Sequence, residues 1–140
     1  MHTLPLQLRF NDVDMMGHVN NAVIMEFFDL GKSHFFADAG IPVTPDEGDF
    51  CVMIVHFEVD FHSQIHWKDN IAVTSTVSHW GNKSMQVTQQ IINTDSGQAC
   101  ATCRTVMSGY SRSTGTSAPI PADVKERVIC YEQSQSASSK

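Results

Sequence analysis

Basic residues are scarce in this chain: nine Lys and Arg stand against fifteen Asp and Glu, a formal net charge of −6. Phosphate backbones are bound by clustered cations, so a broad nucleic-acid surface is excluded and only local basic spots remain near Lys68 and Lys83. Long apolar runs are also missing, so no membrane span is expected. Met1-His2-Thr3-Leu4-Pro5 lacks the basic stretch leading into an apolar one that marks a secretory leader, and the reading is a soluble cytoplasmic protein. Four scattered cysteines, Cys51, Cys100, Cys103 and Cys130, are too few for a disulfide framework and read as reduced thiols. Cys100 and Cys103 form a C-x-x-C, but in a strand residues three apart point to opposite faces. The second pair needed by a zinc ribbon is absent, so no metal is expected.

What is present suffices for one domain, since 41% hydrophobic residues in a chain of 140 can build a core. The expected division is a domain over residues 1–132 and a disordered tail over 133–140. Leu4, Leu6, Leu8 and Phe10 alternate with polar residues, a first strand with Pro5 near an open edge. From Asn20 or Asn21 to about Ala39 the period becomes helical. Val23, Phe27, Leu30 and His34 form one stripe, with Ile24, Phe28, Gly31 and Phe35 beside it. An asparagine supplies the N-cap, Gly40 with Pro42 the stop, and Gly31 gives up helix propensity where a sheet could pack close. A loop is expected from Pro42 to Asp49, then a strand in which Met53, Val55, Phe57, Val59 and Phe61 share an apolar face. Strands at Ile71–Trp80, Met85–Ile92 and Gln98–Tyr110 follow, joined by turns at Gly81-Asn82 and Asp95-Ser96-Gly97. A polar connection then leads to a short helix over Ala122–Tyr131. Strands in consecutive hairpins after one helix predict an α+β fold, an antiparallel sheet covered on one face, with edges that invite pairing between subunits.

The most informative stretch is Asp12-Val13-Asp14-Met15-Met16-Gly17-His18-Val19-Asn20-Asn21. Two carboxylates and a glycine precede a helix whose first N–H groups are unpaired and whose end carries a partial positive charge. Such a junction can hold a carbonyl, with a carboxylate beside it to attack or to activate water. Taken alone, Asp and Asn here are also ordinary turn and cap formers.

On this D-x-D-x-x-G-H-V-N-N stretch, the long helix after it, and Val59-Asp60-Phe61 through Lys68-Asp69-Asn70 into Gly81-Asn82-Lys83-Ser84, the chain resembles the hotdog-fold acyl-CoA thioesterases, in the branch of 4-hydroxybenzoyl-CoA thioesterase. The resemblance spans nearly the whole domain. It implies a curled antiparallel sheet wrapped around a long central helix, and hydrolysis of an acyl-CoA to a carboxylic acid and coenzyme A without metal or organic cofactor. It also implies a homodimer or homotetramer with the acyl channel between subunits. The second aspartate of the motif maps onto Asp14 as nucleophile or general base, and the glycine before the helix maps onto the Gly17 region as backbone donor to the thioester oxygen. Two departures are Gln64, where proline is common, and Asn70, where a Gly-Asp turn is frequent.

His18 is a candidate either to bond a carboxylate or to pack at the helix entry, and Asp12 is assigned loop support. Asn21 and the cations Lys68, Lys83 and Arg104 are candidates for substrate and carrier-phosphate contacts, set against the ordinary reading of solvated surface. His56, Glu58, Asp60 and His62 alternate along one strand face, which is what a polar strand face produces without any metal. The rival functions are a thioesterase acting on acyl carrier protein, for which this acidic chain offers no basic patch, and a non-catalytic acyl-ligand binding protein.

Overall fold

In the computed structural model, which describes residues 1–41 and 50–138, the elements are β1 (His2–Leu6), a 3-10 turn (Phe10–Asp12), α1 (Asn21–Asp38), β2 (Phe50–Phe61), β3 (Ile71–Trp80), β4 (Ser84–Asn93), β5 (Ala99–Ser111), β6 (Thr116–Ser117) and α2 (Ala122–Ser138). The strands form one antiparallel sheet in the order β1-β3-β4-β5-β2, with β6 paired to β5. α1 lies against β1, β3 and β4, giving the α+β hotdog arrangement. The expected loop from Pro42 to Asp49 and the last two residues of the expected tail lie outside the described residues.

Local chemistry accounts for the ends of α1. Asn20 stands in extended conformation and its side chain accepts from the Ala22 N–H, while Gly40 follows the helix at φ +83°, a left-handed position that glycine takes without strain. The buried face is Ile24, Phe27, Phe28, Gly31, Lys32, Phe35 and Phe36. It is rotated from the stripe read in the sequence: Leu30 and His34 are exposed and Lys32 is buried. Burial of that lysine is tolerated because its ammonium lies 3.3 Å from Asp29 Oδ1, donates to Thr105 Oγ1 at 3.3 Å, and sits 4.9 Å from the centre of the Phe57 ring.

Gly31 is where helix and sheet touch most closely. A Cβ there would come within 2.8 and 2.9 Å of the two Val73 methyls and 3.0 Å of Gln89 Nε2. Gln89 is fully buried in β4 and its amide donates to Phe28 O in the helix and Ser75 Oγ in β3, both at 2.9 Å. At the far end of α1, His2 Nε2 lies 2.8 Å from Asp38 Oδ2, tying β1 to the last turn.

Several sequence expectations shift, each for a physical reason. Phe10 does not extend β1; it opens the 3-10 turn and is 85% exposed. β2 carries a bulge between Ile54 and His56, which reverses inside and outside. Val52 before it and Phe57 and Val59 after it pack on the core, while Met53, Ile54 and Val55 are exposed, so the single apolar face expected from alternation does not form. A second irregularity, opposite Ile91 and Ile92, does the same in β5, and Cys100 and Cys103 are both buried in one apolar cluster instead of on opposite faces. All four cysteines are free thiols. The polar connection contains β6, and α2 continues past Tyr131 to Ser138. α2 is fixed to the sheet by Val128, fully buried, and by Glu132, whose Oε1 accepts from Thr76 Oγ1 at 2.7 Å and the Val77 N–H at 3.0 Å.

Gly31→Ala tests the close packing. Alanine gains up to about 1 kcal/mol of helix propensity, and the overpacking against a branched, buried valine costs about 1–3 kcal/mol. The net effect should be a melting temperature lower by about 3–5 °C; a variant that melts at or above the parent would show that the contact has slack.

Candidate active site

The stretch before α1 folds as a tight hairpin. Val13 and Val19 bridge antiparallel, the Asp14 N–H donates to His18 O at 2.9 Å, and the Gly17 N–H donates to Asp14 O at 3.1 Å. Gly17 sits at φ +78°, the left-handed turn position that explains why this residue is glycine. A second segment, 62–70, docks alongside: Val19 N–H donates to Ile65 O at 2.8 Å, Trp67 N–H to Gly17 O at 3.3 Å, and His18 and His66 form a bridge with ring centres 5.0 Å apart, edge to face.

The two aspartates of the motif have different fates. Asp12 is 1% exposed and its carboxylate is fully engaged by Arg9, through the backbone N–H (2.8 Å), Nε (3.2 Å) and Nη2 (2.9 Å). The hydrogen bond from the Arg9 side chain holds the Asp12 carboxyl below the usual aspartate range against the opposing effect of burial. The Asp12 carbonyl accepts from the Asn20 N–H at 3.0 Å, so this residue anchors the helix cap. Asp14 is exposed. Its Oδ1 accepts from the N–H groups of Met16 (2.9 Å) and His18 (3.2 Å), and its Oδ2 makes no hydrogen bond with any described residue. One oxygen is thus spent on orientation and the other is available for chemistry.

Asp14, His18, Val19, Asn20, Asn21 and Gln64 surround a hollow of about 330 Å³. The Gly17 N–H expected to face a carbonyl is used inside the turn, and the Ala22 N–H is used by the cap. Among the described residues, the uncommitted donors in the first turn of α1 are the backbone N–H groups of Asn21 and Val23. The helix end therefore still offers donors, but four and six residues beyond the glycine.

Of the expected site residues, Asp14, His18 and Asn21 meet at this hollow and Gly17 shapes the turn beside it. Lys68 is not among the residues that line it; it lies four residues beyond Gln64 in the 62–70 segment, with φ +80° in a turn closed by Asp69 N–H on His66 O at 3.1 Å. Lys83 does not come near it in the same chain. It lies in the β3–β4 turn, at the other end of a ten-residue strand about 30 Å long at ~3.3 Å per residue. Arg104 pairs with Glu58 across the β5–β2 ladder, and His62 bonds Thr102 Oγ1 at 3.0 Å. Among the described residues no group of three or more His, Cys, Asp or Glu could hold a metal ion. Sequence reasoning missed Gln64 and His66 as neighbours of Asp14; the break from the common proline at position 64 was the one available signal.

Asp12→Asn should lower stability by roughly 1–2 kcal/mol at neutral pH, the Arg9 partner being mostly solvated. Folding lowers the Asp12 pKa, so its stabilisation is complete above the unfolded value of about 3.9 and is lost as pH falls through the lower folded value. Thermal melts of both proteins between pH 7 and 2 should show a gap that is widest at neutral pH and closes in acid. Equal melting at pH 7 would make the carboxylate dispensable.

The sequence profile of the thioesterase-like superfamily matches residues 8–128. A search of curated proteins finds no match. Among solved structures, a thioesterase from Thermus thermophilus, complexed with coenzyme A and zinc, is similar at 27% identity and TM-score 0.77, over 94% of this chain and 93% of that one. A 1,4-dihydroxy-2-naphthoyl-CoA thioesterase from Synechocystis superposes with TM-score 0.82 at 21% identity, over 91% and 94%. A Staphylococcus aureus protein in complex with CoA gives TM-score 0.84 at 17% identity, over 94% and 83%. With a profile match over most of its length and a hotdog sheet around α1, this chain belongs to the thioesterase-like superfamily and is a thioester hydrolase.

Proposed function

We propose that the protein is a cytoplasmic acyl-CoA thioesterase with Asp14 as its catalytic carboxylate. The observation that carries the reading is the free Oδ2 of Asp14 beside uncommitted N–H groups in the first turn of α1. A thioester oxygen received by the Asn21 N–H would gain negative charge during attack, and the donor and the helix end stabilise that charge more than the ground state. In the general-base route, Oδ2 takes a proton from water as the water oxygen bonds the carbonyl carbon. The C–S bond then breaks, and the carrier thiol leaves with a proton. In the nucleophilic route, Oδ2 bonds the carbon directly, the C–S bond breaks and the carrier leaves as thiolate, and water then cleaves the mixed anhydride, its protons going to the thiolate and to solvent. Both need Asp14 ionised and held by its other oxygen. The coenzyme A bound in the similar Thermus and Staphylococcus structures supports coenzyme A as carrier.

The same reading includes a homodimer or homotetramer. β2 is an edge strand of twelve residues whose bulge exposes Met53, Ile54 and Val55, an apolar edge that a second copy would cover. Lys68, in the same segment as Gln64, is assigned to carrier phosphates. Lys83, remote in its own chain, would serve only a site to which another copy brings it.

Asp14→Asn keeps an oxygen for the Met16 and His18 N–H groups, so the hairpin should survive while turnover falls by roughly 10²–10⁴ or more. Release of thiol from a panel of acyl-CoA compounds, followed with a thiol-trapping reagent, checks it beside melting and ligand binding. Hydrolysis near the parent rate would remove Asp14 from the mechanism, and binding without any hydrolysis by the parent would favour an acyl-ligand binding protein.

Lys68→Asn removes the charge with a residue that tolerates positive φ. An exposed ionic contact of about 0.2–1 kcal/mol predicts KM higher by roughly 1.5- to 5-fold with kcat unchanged, the difference shrinking at high salt. Identical KM at low salt would return Lys68 to plain surface.

A further inference from the structure

Gln64 stands apart from the other residues around the hollow. Asp14, His18, Val19, Asn20 and Asn21 all belong to the hairpin and helix entry, whereas Gln64 comes from the β2–β3 connection and lines the same hollow. Its backbone is fixed on both sides. The N–H groups of His62 and Ser63 both donate to Cys100 O, at 2.8 and 3.1 Å, and Ile65 is 1% exposed in the core with its carbonyl held by Val19 N–H. The side chain itself is exposed and makes no hydrogen bond with any described residue. A fixed backbone thus carries, at the hollow that Asp14 and Asn21 also line, an amide with its hydrogen-bonding capacity unspent.

The backbone donors of the hairpin from Met16 to Asn20 are committed. Gly17 N–H closes the turn, Met16 and His18 N–H hold Asp14 Oδ1, Val19 N–H holds Ile65 O, and Asn20 N–H holds Asp12 O. The helix entry leaves the Asn21 N–H to meet a developing oxyanion, which has room for more than one donor. A neutral amide suits the second position. A lysine or arginine there would pair with Asp14 and quench the carboxylate, while the Gln64 N–H₂ can donate without competing for it.

We infer that Gln64 is a further catalytic residue, its side-chain amide donating to the thioester oxygen together with the Asn21 N–H; this rests on the acyl-CoA thioesterase reading above. Two variants of the full-length protein test it: Gln64→Leu removes the donor, and Gln64→Glu replaces the amide N–H₂ by an oxygen at equal size. Steady-state cleavage of the acyl-CoA panel should show kcat lower by roughly 10²–10³ in Gln64→Leu, KM within a few-fold of the parent, and at least as large a loss in Gln64→Glu. Melting should be unchanged, because the side chain is exposed and bonded to nothing described. A higher KM at unchanged kcat would make Gln64 a ground-state contact and overturn the donor role, as would parental kinetics in both variants. A parent protein that cleaves no member of the panel would overturn the thioesterase reading and this one with it, whereas an active parent with equally active variants removes only Gln64.

Discussion

The approach of α1 to the sheet at Gly31 is the contact on which the rest depends. One methylene more at that position would collide with Val73 and Gln89, both fully buried. The Gln89 amide fixes the same level from below by bonding a helix carbonyl. A helix seated this deeply can bring its first turn down to the 62–70 segment, whose Ile65 side chain is buried in the same apolar cluster as Val19, Ile24 and Phe28. Interiors pack too densely for that depth to vary freely, so the height of the helix end above that segment is fixed.

Two aspartates two residues apart show how context gives one chemical group two different environments. Asp12 accepts three hydrogen bonds from Arg9 and is sealed from water; its carboxylate has no capacity left, and its task is to hold the turn and, through its carbonyl, the cap. Asp14 spends one oxygen on two backbone N–H groups and presents the other to solvent and to the hollow. Orientation without neutralisation is what a base or nucleophile needs, since a paired carboxylate would first have to give up its partner.

The bulge in β2 has a similar logic at the level of the sheet. An extra residue between Ile54 and His56 sends apolar side chains outward on an edge strand, the position at which unpaired backbone is most open to another chain. The buried Lys32, which covers the Phe57 ring on the inner side, shows that the inner face near β2 is not purely apolar either.

Local patterning alone determined the order of the five longer strands and two α-helices, the limits of α1 to about a residue, its asparagine cap and the hairpins at Gly81-Asn82 and Gly97, because these follow from side-chain period and turn chemistry within a few residues. The motif at Asp12 to Asn21 likewise pointed to the segment that lines the candidate hollow. What only the tertiary structure decided was which face each side chain takes beyond a bulge, as with Val55 and the pair Cys100 and Cys103, since a single extra residue inverts a period of two without leaving a signal in composition. It also decided that Gly17 spends its N–H on Asp14 while Asn21 keeps its own, that Lys83 lies a strand's length away, and that Gln64 and His66 come to stand beside the motif. Those outcomes depend on contacts between segments far apart in the chain, where sequence spacing carries no distance information and only the seating of α1 on the sheet does.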